Sequence, residues 1–268
     1  MKEPYPHQQK LINHVIKKLQ DEPGLEALLL SGSIAHGYHT KSSDVDLNLI
    51  WTEEVYQQKQ QANDLTYFTL GTRFYPPHCA LGGYAEGKNV SLGYLRNVAG
   101  KGNEPTRFAL HDAKVLFDKT GQVPALLAEI GHYPEERAAE NARRFYAHLK
   151  TWHWYAGEAL RKNDKYLLDT AISKMVLFSA RLIFLENRMF FPYHKWLMRS
   201  LEDAPIKPKR LVPSIEHMLE KKSRFAIEAF YLKVKHFRNW AGGESTSHLF
   251  VYDTELAWLR GEDFVENI

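Results

Sequence analysis

Residues 28–50 read LLLSGSIAHGYHTKSSDVDLNLI, and this stretch decides the expected fold. It begins inside a nearly continuous apolar run, Leu25–Ser31, which is typical of a buried strand. The run is followed by Gly32 and Ser33, where glycine permits a tight turn into a short helix. The next expected strand, 44–51, alternates polar and apolar residues, so that one of its faces is polar and the other packs in a core.

The polar face of this second strand carries two carboxylates. Asp44 and Asp46 are two residues apart, which puts their α-carbons about 6–7 Å apart on the same side of a strand. Their like charges repel each other unless a cation lies between them, and Mg²⁺ prefers a few carboxylates together with substrate phosphates. The N–H groups of a helix that starts at Gly32, with the Ser33 hydroxyl, are typical of phosphate binding. These features predict metal-assisted phosphoryl or nucleotidyl transfer, with both aspartates as catalytic metal ligands.

The order of these residues resembles the DNA polymerase β-like nucleotidyltransferase superfamily. Its pattern is an apolar strand, Gly-Ser, about ten residues, then Asp-apolar-Asp/Glu-apolar. Here it reads Gly32-Ser33 and, after ten intervening residues, Asp44-Val45-Asp46-Leu47. The resemblance covers residues 25–118.

A helical second half makes the chain similar to the small-molecule branch of that superfamily, which includes aminoglycoside and lincosamide nucleotidyltransferases. The resemblance implies Mg²⁺-dependent transfer of a nucleoside monophosphate from a nucleoside triphosphate, with ATP expected, to a hydroxyl of a small molecule such as an antibiotic. It implies that Asp44 and Asp46 hold the metal ions and that Gly32 and Ser33 contact the phosphates. Lys195, in a segment similar to one in two-domain members, is a candidate triphosphate contact.

Periodicity divides the chain into residues 1–125, an α/β domain with a small mixed sheet, and residues 126–268, an all-α helical bundle. We expect the nucleotide and the acceptor to meet in a cleft between the two. The expected strands are Leu25–Ser31, 44–51, 65–70, 89–95 and 115–117. The expected helices are 7–21 and 107–113 in the first domain, and 135–162, 166–187, 194–201, 212–222 and 224–240 in the second.

Many superfamily members place a third carboxylate on a neighbouring strand. The strand expected at 89–95 has none on its polar face, which includes Ser91, and Glu86 precedes it with the wrong parity. Three explanations are open. The general base comes from the helical domain, with Glu140 and Glu158 as candidate catalytic residues; or one well-held metal suffices; or catalysis is lost and nucleotide binding is kept.

Other functions are also open. The third explanation corresponds to an antitoxin-like regulator, and a protein or RNA acceptor is a further alternative. The spacing of Arg188 and His194 resembles that of HEPN-type ribonucleases, but Pro192 between them favours a turn. The aromatic run 152–155 fits a helix core, or in part an acceptor pocket whose acidic wall includes Glu158.

Composition bounds the class of protein. With 268 residues, 44% of them hydrophobic, the chain is long enough for two modest domains with proper cores. A net charge of +3 gives no reason to expect an obligatory nucleic-acid partner. The single cysteine, Cys79, and the lack of a long apolar run predict a cytoplasmic protein without a membrane partner. Either a monomer or a homodimer is expected.

Overall fold

The computed structural model describes residues 2–65, 68–70, 84–243 and 245–261, and only the backbone of 68–70. Cys79 lies outside the described residues. The chain forms two compact units, Met1–His132 and Tyr133–Ile268. The first is mixed α/β and the second helical, which confirms the predicted fold class. Among the described residues, no helix combines the length and apolar character needed to cross a bilayer.

The first unit is built on a mixed sheet whose central strands are the two from residues 28–50. In the described residues the sheet has five strands: β1 (Leu25–Ser31), β2 (Val45–Trp51), β3 (Phe68–Leu70), β4 (Ala85–Ser91) and β5 (Lys114–Asp118). Their spatial order is β3-β4-β2-β1-β5. β1 is antiparallel to both β2 and β5, whereas β2 is parallel to β4. The strand predicted at 115–117 therefore exists and lies at an edge.

Helices cover both faces of this sheet. Those of the described first unit are α1 (Pro6–Leu19), α2 (Gly32–Ala35), α3 (Glu53–Gln61), α4 (Leu92–Lys101), α5 (Glu104–His111) and α6 (Val123–Ile130). Neighbouring β1 residues enter different apolar clusters, Leu28 with α1 and Leu29 with α4 and α6. Burial on both faces explains why β1 is a continuous apolar run. Since α6 packs on α4, the first unit extends beyond residue 125.

The strand predicted at 89–95 exists, but its predicted bounds are wrong, because it starts at Ala85 and the chain leaves the sheet after Ser91. The strand β4 ends at Ser91, whose hydroxyl accepts a hydrogen bond from the Tyr94 N–H at 3.2 Å and thereby caps α4. Asn89 and Ser91, which we expected on the polar face, are 4% and 1% exposed. The less buried side chains of β4 are instead those of Glu86 and Lys88.

A buried arginine fastens the helices beside the sheet. Arg107 of α5 is 5% exposed and donates to the carbonyls of Ala99 at 2.7 Å and Gly102 at 3.0 Å, at the end of α4. It also donates to the carbonyls of Ile130 at 3.1 Å and His132 at 3.4 Å, at the end of α6. One guanidinium therefore satisfies carbonyls that two helix ends leave without intrahelical partners.

The second unit is helical throughout its described residues. It begins with a 3₁₀ turn, Glu135–Arg137, followed by α7 (Ala138–Lys162), α8 (Lys165–Glu186), α9 (Tyr193–Asp203), α10 (Leu211–Lys221), α11 (Arg224–Lys235), α12 (Ser247–Thr254) and α13 (Ala257–Arg260). The helix predicted at 224–240 ends early, at Lys235, and the Trp240 indole folds back to donate to the Val234 carbonyl at 2.9 Å.

The role of Arg107 is testable. Replacing Arg107 with leucine should reduce the free energy of unfolding by about 2–4 kcal/mol, because buried carbonyls lose a charged donor. The matched control is Arg96→Leu on α4, an exposed arginine whose hydrogen bond to Gln122 is on the surface; its cost should stay within about 0.5 kcal/mol. Calorimetry of the full-length chain measures both, and equal losses would contradict this role.

Candidate active site

Three carboxylates converge on one face of the sheet. Asp44 directly precedes β2 and Asp46 lies within it. In the parallel pairing of β2 with β4, Asp46 is directly opposite Glu86. One oxygen from each of these three carboxylates lies within 4.8 Å of the others, and all three side chains are partly exposed. We call Asp44, Asp46 and Glu86 the carboxylate triad.

The turn after β1 comes close to this triad. Gly32 has a φ of +64°, a left-handed conformation that glycine adopts without strain. A Cβ atom at this position would lie 1.8 Å from Asp46 Oδ2 and 2.4 Å from its Cγ. Two separate constraints therefore require glycine at position 32: the backbone conformation and the Asp46 side chain packed against it.

Two serines flank this glycine. Ser31 Oγ accepts a hydrogen bond from Asn48 Nδ2 at 2.9 Å, which ties the end of β1 to β2. Ser33, in the predicted short helix, is only 6% exposed, and its Oγ has no hydrogen-bond partner among the described residues. A buried hydroxyl without a partner is costly, and a ligand oxygen at this position would satisfy it.

A cavity of about 300 Å³ opens beside the triad within the first unit. Its floor is formed by the strands, and the α5 residues Pro105, Thr106, Ala109 and Leu110 form one side. Tyr94 also lines it. The cavity includes Asp46 and Glu86 from the triad and, on the same strand as Glu86, the exposed Lys88. Negative and positive groups thus line one small cavity.

The electrostatic effect of the triad is felt by its neighbour Tyr84. The charge of Glu86 and the hydrogen bond that this carboxylate accepts raise the pKa of the Tyr84 hydroxyl, with smaller contributions from burial and from Asp44 and Asp46. The phenol stays protonated because a phenolate would add another negative charge to the group. This concentration of negative charge favours a bound cation.

The predicted site residues of the helical domain lie in the second unit. Glu140 is exposed on α7, and Lys195 is exposed on α9 with its ammonium 5.3 Å from the Trp196 ring. Glu158 accepts hydrogen bonds from Arg161 at 2.5 Å and 3.2 Å, and this pairing lowers its pKa although burial opposes the shift. A lowered pKa makes a carboxylate a weaker base. Catalytic roles for the two glutamates and a phosphate contact for Lys195 stay predictions.

The aromatic run 152–155 divides between two environments. Trp152 and Tyr155 pack against the apolar core of the second unit. Trp154 is 59% exposed and lines a cavity of about 620 Å³ together with Glu158, His153 and other residues of α7 and α11. An acceptor pocket here stays a prediction.

Arg188 and His194, whose spacing resembles that of HEPN-type ribonucleases, lie on either side of a turn. Arg188 has a φ of +54° in the turn after α8 and donates to Glu135 at 2.6 Å. His194 is the second residue of α9, which begins at Tyr193, and Pro192 occupies the N-cap position of that helix. The turn that Pro192 predicts is present.

Sequence reasoning placed Glu86 outside the strand and missed Lys88. The alternation Ala85-Glu86-Gly87-Lys88 was a strand signal, and Ser91 three residues before Tyr94 was a signal for the start of a helix. Reading both together would have moved the strand forward and placed Glu86 on it.

Comparisons with known proteins give limited additional information. The family described as a domain of unknown function (DUF4037) matches residues 103–197, less than half of the chain and none of the triad. No curated protein matches significantly. Among solved structures, a nucleotidyltransferase-like protein from Exiguobacterium sibiricum is similar, with a TM-score of 0.46 and 12% identity over 95% of this chain and 80% of that one. Functional inference therefore depends on the residues of the site.

The contact between Gly32 and Asp46 predicts a specific loss. Gly32→Ala should lower the free energy of unfolding by about 1–3 kcal/mol more than Gly121→Ala, since both introduce strain at positive φ but only Gly32 also meets a neighbouring side chain. Gly121 has a φ of +70° and nothing within 4 Å of its added Cβ, which makes it a matched control. Chemical denaturation measures the difference, and equal costs would show that Asp46 moves aside freely.

Proposed function

We propose that the chain is a Mg²⁺-dependent nucleotidyltransferase that transfers a nucleoside monophosphate from a nucleoside triphosphate, with ATP expected, to a hydroxyl of a small molecule. The observation that carries the proposal is the alignment of Glu86 opposite Asp46, which completes the carboxylate triad next to the Gly32-Ser33 turn. In this proposal the triad supplies the metal ligands, and the adjacent turn supplies the buried Ser33 hydroxyl as a hydrogen-bond donor to phosphate.

The donor set fits magnesium. Mg²⁺ takes hard oxygen ligands and is commonly bound through one or two carboxylates, waters and substrate phosphates. The triad supplies only carboxylate oxygens, without histidine or thiol, as this cation prefers. When bound, the ion would neutralise phosphate charge and polarise the reacting phosphoryl group.

The chain's own groups would orient the triphosphate. Ser33 Oγ would donate to a phosphate oxygen, which would satisfy this buried hydroxyl. Lys88 lies on the same strand as Glu86 and lines the same cavity, so its ammonium would offset phosphate charge. Lys88 would thus supply, within the first unit, a phosphate contact of the kind expected of Lys195.

Glu86 also offers a base within the first unit. As the carboxylate from the neighbouring strand, it would accept the proton of the attacking hydroxyl, a function typically worth about 10²–10⁴ in rate. The regulator alternative was motivated by the absence of a third carboxylate, and Glu86 removes that motivation.

The test is a binding titration that does not require the acceptor. Each of the four nucleoside triphosphates is added to the full-length chain with and without Mg²⁺, and the melting temperature is followed. A ligand at about 100 times its Kd stabilises the folded chain by about 2.7 kcal/mol. We expect stabilisation that requires Mg²⁺ in the wild type and is lost in Asp46→Asn and Glu86→Gln.

The matched control is Glu54→Gln, an exposed glutamate on α3 that should bind like the wild type. A second assay then measures pyrophosphate release in the presence of a panel of hydroxyl acceptors. The Glu86→Gln variant should release pyrophosphate at least about 100-fold more slowly than the wild type. Mg²⁺-dependent nucleotide binding that survives loss of Asp46 and Glu86 would refute the assignment of the triad.

A further inference from the structure

A second cluster of metal-binding side chains lies in the first unit, outside the proposed reaction. His36 caps the C-terminus of α2, His111 ends α5, and Asp112 follows it. One ligand atom from each of the three lies within 4.8 Å of the others. We call His36, His111 and Asp112 the His–His–Asp cluster.

Two distances within this cluster are close to those between neighbouring ligands of a tetrahedral metal ion. Asp112 Oδ2 is 2.9 Å from His36 Nδ1 and 3.3 Å from His111 Nε2. Neighbouring ligand atoms of a tetrahedral zinc ion are roughly 3.3 Å apart, given Zn–N and Zn–O bonds of about 2.0–2.2 Å. The three donors would need to move little to bind such an ion.

The hydrogen bonding of His111 also favours a bound metal ion. Its Nδ1 is 2.8 Å from the Phe108 carbonyl oxygen, which can only accept, so Nδ1 carries a hydrogen. In the neutral ring, Nε2 then directs its lone pair at the Asp112 carboxylate, an arrangement that requires a proton or a metal ion between them. A ring nitrogen that donates to a backbone carbonyl while the other ligates is the usual arrangement of a metal-bound histidine.

The other two members are held in position for binding. The His36 side chain is 4% exposed, and its ring stacks on Phe108 with centroids 4.4 Å apart. The Asp112 carboxylate faces the His36 ring and lies within hydrogen-bond distance of its Nδ1. The side chains of His111 and Asp112 are 28% and 44% exposed, which leaves one side open to water.

We propose that the His–His–Asp cluster binds a zinc ion, with water as the fourth ligand, independently of the carboxylate triad. Two imidazoles and one carboxylate suit zinc, whereas Mg²⁺ prefers oxygen donors alone. The ion would tie His36, which follows the Gly32-Ser33 turn, to the end of α5, which forms one side of the active-site cavity. Zinc would thus hold two walls of the site together without touching the nucleotide.

The experiment measures zinc in the full-length protein after chelator treatment, reloading with Zn²⁺ and washing in millimolar Mg²⁺. Metal analysis gives the stoichiometry, and competition with a chromophoric chelator gives the affinity. The variants are His111→Gln and Asp112→Asn; the second is nearly isosteric and keeps the test valid if the first folds poorly. Controls are Asp46→Asn in the triad and His217→Gln, an exposed histidine on α10 of the second unit.

We expect wild type, Asp46→Asn and His217→Gln to retain one zinc that Mg²⁺ does not displace. The His111→Gln and Asp112→Asn proteins should bind this zinc at least about tenfold more weakly. Cobalt substitution should give visible absorption typical of tetrahedral coordination, lost in the same two variants. Equal zinc binding in all five proteins, or no zinc retained by the wild type, would overturn the proposal and leave a proton between histidine and aspartate.

Discussion

The parallel pairing of β2 with β4 is the constraint on which the site depends. Its register places Glu86 beside Asp46, and a shift by one residue would turn Glu86 to the opposite face of the sheet. Three carboxylates at this separation repel one another. Their negative charge, that of Glu86 above all, also raises the pKa of the neighbouring Tyr84 hydroxyl. The sheet holds the carboxylates together despite this repulsion, because apolar side chains are buried on both of its faces. A bound cation would reduce the repulsion.

The same sheet sets the distance between the proposed metal ligands and the proposed phosphate donors. The strand β1 lies next to β2, so the turn that follows it passes directly beside Asp46, and only glycine leaves room for that approach. Ser33 is buried by the same turn. Arg107 holds α5 in place as the opposite side of the cavity by bonding the ends of α4 and α6. Backbone geometry, charge and burial thus favour one location for the proposed reaction.

Many elements of the fold and several residues of the candidate site were predictable from the sequence, because they depend on local patterns. Strand β1, most of β2 and the positions of Gly32, Ser33, Asp44 and Asp46 follow from periodicity and spacing, as do most long helices of the second unit. Glu86 could not be placed in the same way, because which face it occupies depends on where β4 starts and on its pairing with β2. The strand expected at 65–70 is confirmed as β3 over Phe68–Leu70, while 66 and 67 lie outside the described residues. Clusters such as His36 with Asp112 join residues distant in sequence, and only the folded chain brings them together.

The most direct test of the account is to locate the metal and the phosphates together. Crystals of the full-length chain grown with Mn²⁺ and a non-hydrolysable nucleoside triphosphate would reveal the ion by its anomalous scattering. The account predicts an ion bound to oxygens of Asp44, Asp46 and Glu86, at distances similar to Mg²⁺–oxygen bonds of about 2.0–2.1 Å. It also predicts a phosphate oxygen within hydrogen-bond distance of Ser33 Oγ. An ion bound elsewhere, or phosphates remote from the Gly32-Ser33 turn, would contradict it.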